Sequence, residues 1–120
     1  MDDSVEKVLI VEGKTDRKKI QELLKEPVDI ICTNGTIGFD KMEALIDSLE
    51  QKDVYILVDE DDAGQKLRKI FKRELPNAHH LYTHRMYKEV AETPLMYLAK
   101  ILMNAHFNID QSSLLGGGPK

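Results

Sequence analysis

Three acidic residues in two short segments are the groups in this chain best placed to do chemistry. Glu12 lies in Val-Glu-Gly-Lys-Thr-Asp, and Asp59 and Asp61 lie in Leu-Val-Asp-Glu-Asp-Asp-Ala-Gly. Each segment follows a short apolar run and precedes helical spacing, which is typical of the strand-to-helix junction where open α/β sheets bind ligands. Carboxylates from two such junctions could share a hard cation, and oxygen-only ligation favours Mg²⁺ or Mn²⁺ over zinc. The spacing therefore indicates a metal site for phosphate chemistry.

The aspartate pair taken alone has a second interpretation. An acidic turn that caps a helix and stays hydrated would look the same. Asp59 and Asp61 point to one side only if the strand continues through them. Gly64 would permit close backbone approach, and a helix beginning near residue 62 would point its amide ends at the pair. Glu12 at the end of a second strand favours the shared site.

The remaining elements must position these residues. Apolar runs predict strands over about 8–11, 28–32, 54–58 and 79–82. Apolar residues at helical spacing predict a helix after each strand, with N-caps at Thr15, Asp40 and Thr93 and a stop at Pro27. Such alternation predicts one α/β domain over residues 1–110, with a mostly parallel sheet of about four strands flanked by helices. Residues 111–120 are expected to form a flexible tail.

Composition narrows the function classes. The chain has 120 residues and a formal net charge of −4, which argues against non-specific binding along nucleic acid. Cys32 is the only cysteine and lies in an apolar run, so a buried thiol is expected. No apolar run is long enough to span a bilayer. These features predict a cytoplasmic protein with no membrane partner.

The two acidic segments, the second continuing as Gln-Lys-Leu-Arg, resemble a Toprim domain, the module shared by bacterial primases, topoisomerases, recombination-repair proteins and small ribosomal-RNA maturation nucleases. The resemblance spans about residues 7–81 and includes a middle Thr-Asn-Gly segment at 33–35. It implies a four-stranded parallel sheet between helices, with metal-dependent making or breaking of phosphodiester bonds. Matched by position, Glu12 is the general acid or base and a candidate metal ligand, and Asp59 and Asp61 are the magnesium ligands.

Other residues around the motifs are candidates for substrate contact. Those expected to lie near substrate phosphates are Gly13, Lys14, Asn34, Gly35 and Gly64. Lys18 and Lys19 are better explained as a solvated helix face. Gln65 stands where nuclease and topoisomerase relatives often have a glutamate, so one acidic group of the fuller pattern is missing.

Three function classes follow from the sequence. The first is a magnesium-dependent nuclease or related phosphodiester-transfer domain acting on RNA or DNA. The second is a non-catalytic Toprim module that works with a protein partner. The third is a phospho-accepting receiver domain, which would need its acidic pair after the first strand, whereas here the pair follows the third.

Overall fold

A computed structural model of the chain describes residues 5–34, 38–83 and 87–110. Over these residues strands and helices alternate: β1 (Lys7–Val11), α1 (Lys14–Gln21), β2 (Asp29–Cys32), α2 (Phe39–Leu49), β3 (Asp53–Leu57), α3 (Asp62–Glu74), β4 (His79–Leu81) and α4 (Leu95–Asn104). A 3₁₀ turn (Val90–Glu92) precedes α4. The predicted tail at 111–120 and the predicted site residue Gly35 lie outside the described residues.

The four strands form one parallel sheet in the order β2-β1-β3-β4. Val8 pairs with Asp29 on one side and with Val54 on the other, and Leu57 pairs with Leu81. The chain therefore moves outward from β1 to β2 and returns past β1 to β3. The crevice between β1 and β3 is the switch point of this topology, where open α/β sheets bind their ligands. We refer to the end of the sheet where all four strands finish as the carboxyl edge.

The sheet is buried on both faces, which explains why its strands are continuous apolar runs. Leu9, Val11 and Leu57 belong to one core cluster together with residues of α1 and α4. Val8, Ile10 and Ile56, which alternate with them, belong to a second cluster together with residues of α2 and α3. Helices therefore cover both faces, and the predicted α/β class with a four-stranded parallel sheet is confirmed.

The predicted helix boundaries needed correction. The N-caps of α1, α2 and α4 are Gly13, Gly38 and Pro94 rather than Thr15, Asp40 and Thr93. Gly13 and Gly38 both have extended backbone, and neither has a side chain that could cap its helix. At α1 the cap comes instead from Asp16, whose carboxylate accepts from the Gly13 N–H.

Three further expectations concern the end of α1, the burial of Cys32 and membrane-spanning helices. Helix α1 ends at Gln21, well before Pro27. Cys32 is only partly buried, and its thiol donates to the Gly13 carbonyl at 3.4 Å. No helix in the described part of the chain is long and apolar enough to cross a membrane.

Candidate active site at the carboxyl edge

The two acidic motifs meet in the crevice between β1 and β3. Glu12 directly follows β1, and Asp59 lies two residues after β3. Strands β1 and β3 are hydrogen-bonded neighbours in the sheet. The backbone N–H of Asp59 donates to Glu12 Oε1 at 2.7 Å. Parallel strands end at the same edge, so the sheet brings together two motifs that are 47 residues apart along the chain.

Both aspartates are oriented by backbone hydrogen bonds rather than by strand alternation. Strand β3 ends at Leu57, so the condition for Asp59 and Asp61 to point to one side is not met. Instead Asp59 Oδ1 accepts from the Val90 N–H at 2.8 Å, and Asp61 Oδ1 accepts from the Gly64 N–H at 2.8 Å. Asp61 is the N-cap of α3, so the helix-capping interpretation holds for this residue.

Gly64 packs directly against the backbone of the Asp59 motif. A Cβ at Gly64 would lie 1.8 Å from the Asp59 carbonyl oxygen and 2.9 Å from its carbonyl carbon. No side chain fits at this distance, so glycine is required for the start of α3 to approach the end of β3. The close approach expected from the sequence is therefore present.

Three of the predicted phosphate-binding residues, Gly13, Lys14 and Asn34, lie close to Glu12. Gly13 is the next residue and caps α1, and Lys14 is exposed in the first turn of that helix. The Asn34 N–H donates to the Glu12 carbonyl at 2.6 Å. Asn34 has a φ of 57°, a left-handed conformation that asparagine tolerates better than most residues. The β1–α1 and β2–α2 junctions therefore meet beside the glutamate.

Burial and mutual repulsion shape the electrostatics of the acidic site. Burial, more than any other cause, raises the pKa of Glu12, and the charges of Asp59, Asp61 and Asp16 raise it further, while the hydrogen bond from Asp59 N–H lowers it. Burial likewise raises the pKa of Asp59, and the Asp61 charge adds to this effect. Glu12 and Asp59 therefore bind protons more strongly than isolated carboxylates do, mainly because they are buried and further because neighbouring carboxylates repel their charges.

Asp16 and Glu89 are acidic members of this cluster to which the sequence pattern assigned no role. Asp16 is 6% exposed, and its Oδ2 accepts from the Gly13 N–H at 3.1 Å. An aspartate in the first turn of a helix after a Gly is the signal that could have identified it. The charge of Glu92 is the main cause that raises the pKa of Glu89, and Asp59, Asp61 and Asp16 contribute as well. Glu89 therefore lies in the same negative field.

Lys19 supports the site from a distance. Its ammonium donates to the Ala91 carbonyl at 2.8 Å and also to the Thr93 carbonyl. It thereby ties α1 to the 3₁₀ turn whose Val90 N–H holds Asp59. The prediction of a solvated face holds for Lys18, which is exposed, but it is wrong for Lys19. Nothing in the local sequence distinguishes the two lysines.

Arg68 on α3 is a buried charge beside the site. It is 1% exposed, and its guanidinium donates to Glu60 Oε2 at 2.7 Å and to the carbonyls of Val58 and Leu81 at 3.2 and 2.8 Å. Gln65 donates to the other Glu60 oxygen at 3.0 Å. Glu60, between the two site aspartates in sequence, is therefore occupied by structural partners. The spacing of residues along α3 does not identify Arg68 as buried, because its acceptors Val58, Glu60 and Leu81 lie outside that helix.

The donor chemistry of the site suits a hard divalent cation. Glu12, Asp59 and Asp61 offer only oxygen, and one oxygen of each is bound to a backbone N–H. The second oxygen of each carboxylate would be its donor to a cation. Among residues 5–34, 38–83 and 87–110, no three His, Cys, Asp or Glu side chains form a ready-made metal cluster. Mg²⁺ does not require one, because it usually binds one or two carboxylates together with water and substrate oxygens.

Comparison with known proteins agrees with the topology and the motifs. A family model for the Toprim domain matches residues 7–88. The chain belongs to the Toprim domain family. This Toprim range contains Glu12, Asp59 and Asp61, while the Val90 that holds Asp59 lies just beyond it.

Individual relatives extend this assignment. The chain is 54% identical over 107 residues to the uncharacterized protein YusF of Bacillus subtilis, covering 89% of this chain and 73% of YusF. It is 34% identical over 79 residues to Ribonuclease M5 of Mycoplasma genitalium, covering 65% of this chain and 43% of that protein. The Toprim domain thus spans less than half the length of that nuclease. The solved structure of a small TOPRIM domain protein from Bacillus stearothermophilus superposes with a TM-score of 0.90 at 50% identity, covering 98% of this chain and 99% of that one.

Proposed function

We propose that this Toprim protein is a divalent-metal-dependent nuclease, or a related phosphodiester-transfer enzyme, that acts on nucleic acid. The hydrogen bond from the Asp59 N–H to Glu12 Oε1 is the observation that carries the proposal, because it brings both acidic motifs into one crevice. The similarity to Ribonuclease M5 favours RNA over DNA as the substrate class. We place the activity in the cytoplasm, since a chain with one cysteine forms no internal disulfide.

Asp59 and Asp61 are the proposed ligands of Mg²⁺, for which Mn²⁺ would substitute, and Glu12 is a further candidate ligand. Bound there, the cation would neutralise phosphate charge and polarise the reacting oxygens. The backbone N–H groups of Val90 and Gly64 hold the two aspartates in fixed orientations. This rigidity supports the proposal, because preorganised ligands do not have to be ordered during each turnover.

Glu12 is the proposed general acid or base. Burial and the neighbouring aspartates raise its pKa, which brings its protonation equilibrium closer to neutral pH, where acid–base catalysis is most efficient. As a base it would take the proton from an attacking water, and as an acid it would give one to the leaving oxygen. Its hydrogen bond to Asp59 keeps the carboxylate in the crevice during either step.

The proposed substrate contacts are Gly13, Lys14, Asn34, Gly35 and Gly64. Lys14 is an exposed cation in the first turn of α1, and it would offset the repulsion between a phosphate and the acidic cluster. Gly13, Asn34 and Gly35 are proposed to contact the nucleic-acid backbone directly. Gly64 would contribute indirectly, because its missing side chain lets the start of α3 approach Asp59.

Cleavage of end-labelled single-stranded, duplex and structured RNA and DNA, with Mg²⁺, Mn²⁺ or EDTA, tests the proposal. Glu12→Gln keeps an oxygen that can accept from the Asp59 N–H but removes the charge, and Asp59→Asn does the same for a proposed metal ligand. We expect each to lower the rate by at least about 100-fold. Asp40→Asn, which removes an exposed charge from the first turn of α2, is the matched control and should retain wild-type activity. Metal-dependent cleavage that survives both site variants would refute the mechanism.

A non-catalytic module that works with a protein partner is the second candidate. Gln65, which stands where nuclease and topoisomerase relatives often have a glutamate and which here binds Glu60, favours it. In that case the purified chain would bind a specific partner and would cleave none of the substrates in any metal. Robust cleavage by the isolated chain would exclude this candidate.

A further inference from the structure

Tyr82 is an exposed aromatic side chain at the carboxyl edge of the sheet. It is 49% exposed and directly follows β4. Leu81 pairs with Leu57 of β3, so Tyr82 is level with Val58, one residue before Asp59. The ring is therefore located at the carboxyl edge, on the strand next to the one that leads to Asp59 and Asp61.

One face of the Tyr82 ring is supported by a buried cation. The Arg68 guanidinium carbon lies 4.1 Å from the ring centroid. The guanidinium is itself held by Glu60, the Val58 carbonyl and the Leu81 carbonyl. The attraction between the guanidinium cation and the face of the ring stabilises their contact. Because the guanidinium is fixed by its hydrogen bonds, it keeps the Tyr82 ring oriented. Ordering the ring therefore costs little when a ligand binds to it.

The other tyrosines of the chain are placed differently. Tyr55 is buried, stacked on His79 and in edge contact with Phe107 at the opposite end of the sheet. Tyr87 and Tyr97 contact each other with their centroids 5.7 Å apart. Tyr82 is the tyrosine that combines an exposed ring with a rigid support at the carboxyl edge.

We propose that Tyr82 on Arg68 is a stacking platform for one unpaired nucleobase of a substrate whose phosphates enter the crevice. This inference rests on the proposed function and narrows its substrate to nucleic acid with a single-stranded or splayed-out nucleotide. Bases inside a duplex have both faces covered, so along a strand it is an unpaired base that can stack on a protein ring. A chain with a net charge of −4 gains little binding free energy from attraction to phosphates alone. Contact with the face of a base therefore contributes the larger share of the affinity.

Binding measurements on the full chain test this platform separately from cleavage. The chain has no tryptophan, so Tyr82→Trp introduces a single tryptophan. Its fluorescence can be excited separately from that of the remaining tyrosines, and a stacked base would quench it. A short single-stranded RNA is titrated in Mg²⁺ on the Glu12→Gln background, which prevents substrate loss. We expect quenching by the single strand, and little by a blunt duplex or by a strand of abasic nucleotides.

Affinity changes give the second measurement. Tyr82→Ala should weaken single-strand binding by roughly 5- to 140-fold, the range of a lost base–aromatic stack. Tyr82→Phe keeps the aromatic ring, so its affinity for the single strand should be within about twofold of that of the protein with Tyr82. Met103→Ala, which truncates an exposed apolar side chain near the end of α4, should leave binding unchanged. Thermal melts establish that each variant folds.

The outcomes separate this inference from the proposed function. If single-strand affinity is the same with and without Tyr82→Ala, or if duplex and single strand quench Tyr82→Trp equally, Tyr82 is not a stacking platform. Neither result affects the nuclease proposal. Tyr82-dependent binding without cleavage by the parent chain sustains the platform and overturns the nuclease. Failure of every nucleic acid to bind overturns both.

Discussion

Replacing Gly64 by alanine is the most direct test of how the site is assembled. Gly→Ala inside a helix normally stabilises a protein by about 0.5–1 kcal/mol. Here the added Cβ would lie 1.8 Å from the Asp59 carbonyl oxygen, whereas real Cβ contacts almost never fall below 3.0 Å. The start of α3 would have to move by about 1.2 Å, since the obstacle is backbone and cannot rotate away. We therefore expect the usual sign to reverse.

The size of the effect follows from that displacement. Overpacking of this kind costs about 1–3 kcal/mol of unfolding free energy. The same movement separates the Gly64 N–H from Asp61 Oδ1 and shifts both aspartates relative to Glu12. A misplacement of about 1 Å in an active site lowers the rate by roughly 100-fold, so cleavage should fall by at least that factor.

Urea denaturation followed by circular dichroism, together with the RNA cleavage assay, would measure both effects. Gly38→Ala is the matched control, because a Cβ there meets nothing within 4 Å. It should change the unfolding free energy by no more than about 0.5 kcal/mol. If Gly64→Ala were as stable and as active as Gly38→Ala, the close approach of α3 to Asp59 would not be what positions the site.

Three further variants test the supports around the crevice. Lys19→Met removes two ammonium–carbonyl hydrogen bonds and should cost about 1.5–3 kcal/mol of unfolding free energy, measured in urea, with exposed Lys18→Met as its control. Arg68→Met leaves Glu60 and two carbonyls without their donor and should cost about 3–5 kcal/mol, whereas exposed Lys69→Met should cost under about 0.5. Burial, followed by the charges of Arg68 and Lys72, lowers the pKa of His80, so the native state binds fewer protons than the unfolded chain below about pH 6.5. This histidine should therefore lower stability as the pH falls from 6.5 towards 5, and His80→Asn should lose less stability than wild type over that range in urea titrations.

Each of these expectations has an outcome that would contradict it. Equal losses from Lys19→Met and Lys18→Met would mean that the bonds to the 3₁₀ turn contribute nothing. If the Arg68→Met protein were as stable as wild type, the hydrogen bonds of Arg68 would not contribute the stability that its contacts suggest. For His80 the comparison must be between variant and wild type, because the raised pKa values of Glu12 and Asp59 act in the opposite sense. Identical pH dependence in the two proteins would refute the assignment.

Local patterns in the sequence were sufficient for the fold class. The strands are recognisable because both faces of the sheet are buried, which turns each strand into a continuous apolar run. The helices follow from apolar residues that recur once per turn. Helix starts were less predictable. Gly13 and Gly38 are N-caps with extended backbone and no capping side chain of their own, and at α1 only Asp16 in the first turn marks the start.

The acidic residues of the site were also identifiable from the sequence, because their positions after two strand-like runs require only local information. Their partners were not. Asp59 is held by Val90, which lies 31 residues away, and the Lys19 bond to Thr93 spans 74 residues. Periodicity describes which face of its own helix a residue occupies, but not which distant carbonyl lies opposite.

The sequence by itself therefore determined the alternation of elements, the α/β class and the three carboxylates with their order along the chain. Only the tertiary structure decided that β1 and β3 are neighbours, that the Asp59 N–H binds Glu12, and that Arg68 is buried beneath Tyr82. The physical reason is that side-chain type and spacing are set locally. Hydrogen bonds at a parallel sheet edge form between segments that meet only after the whole sheet has assembled.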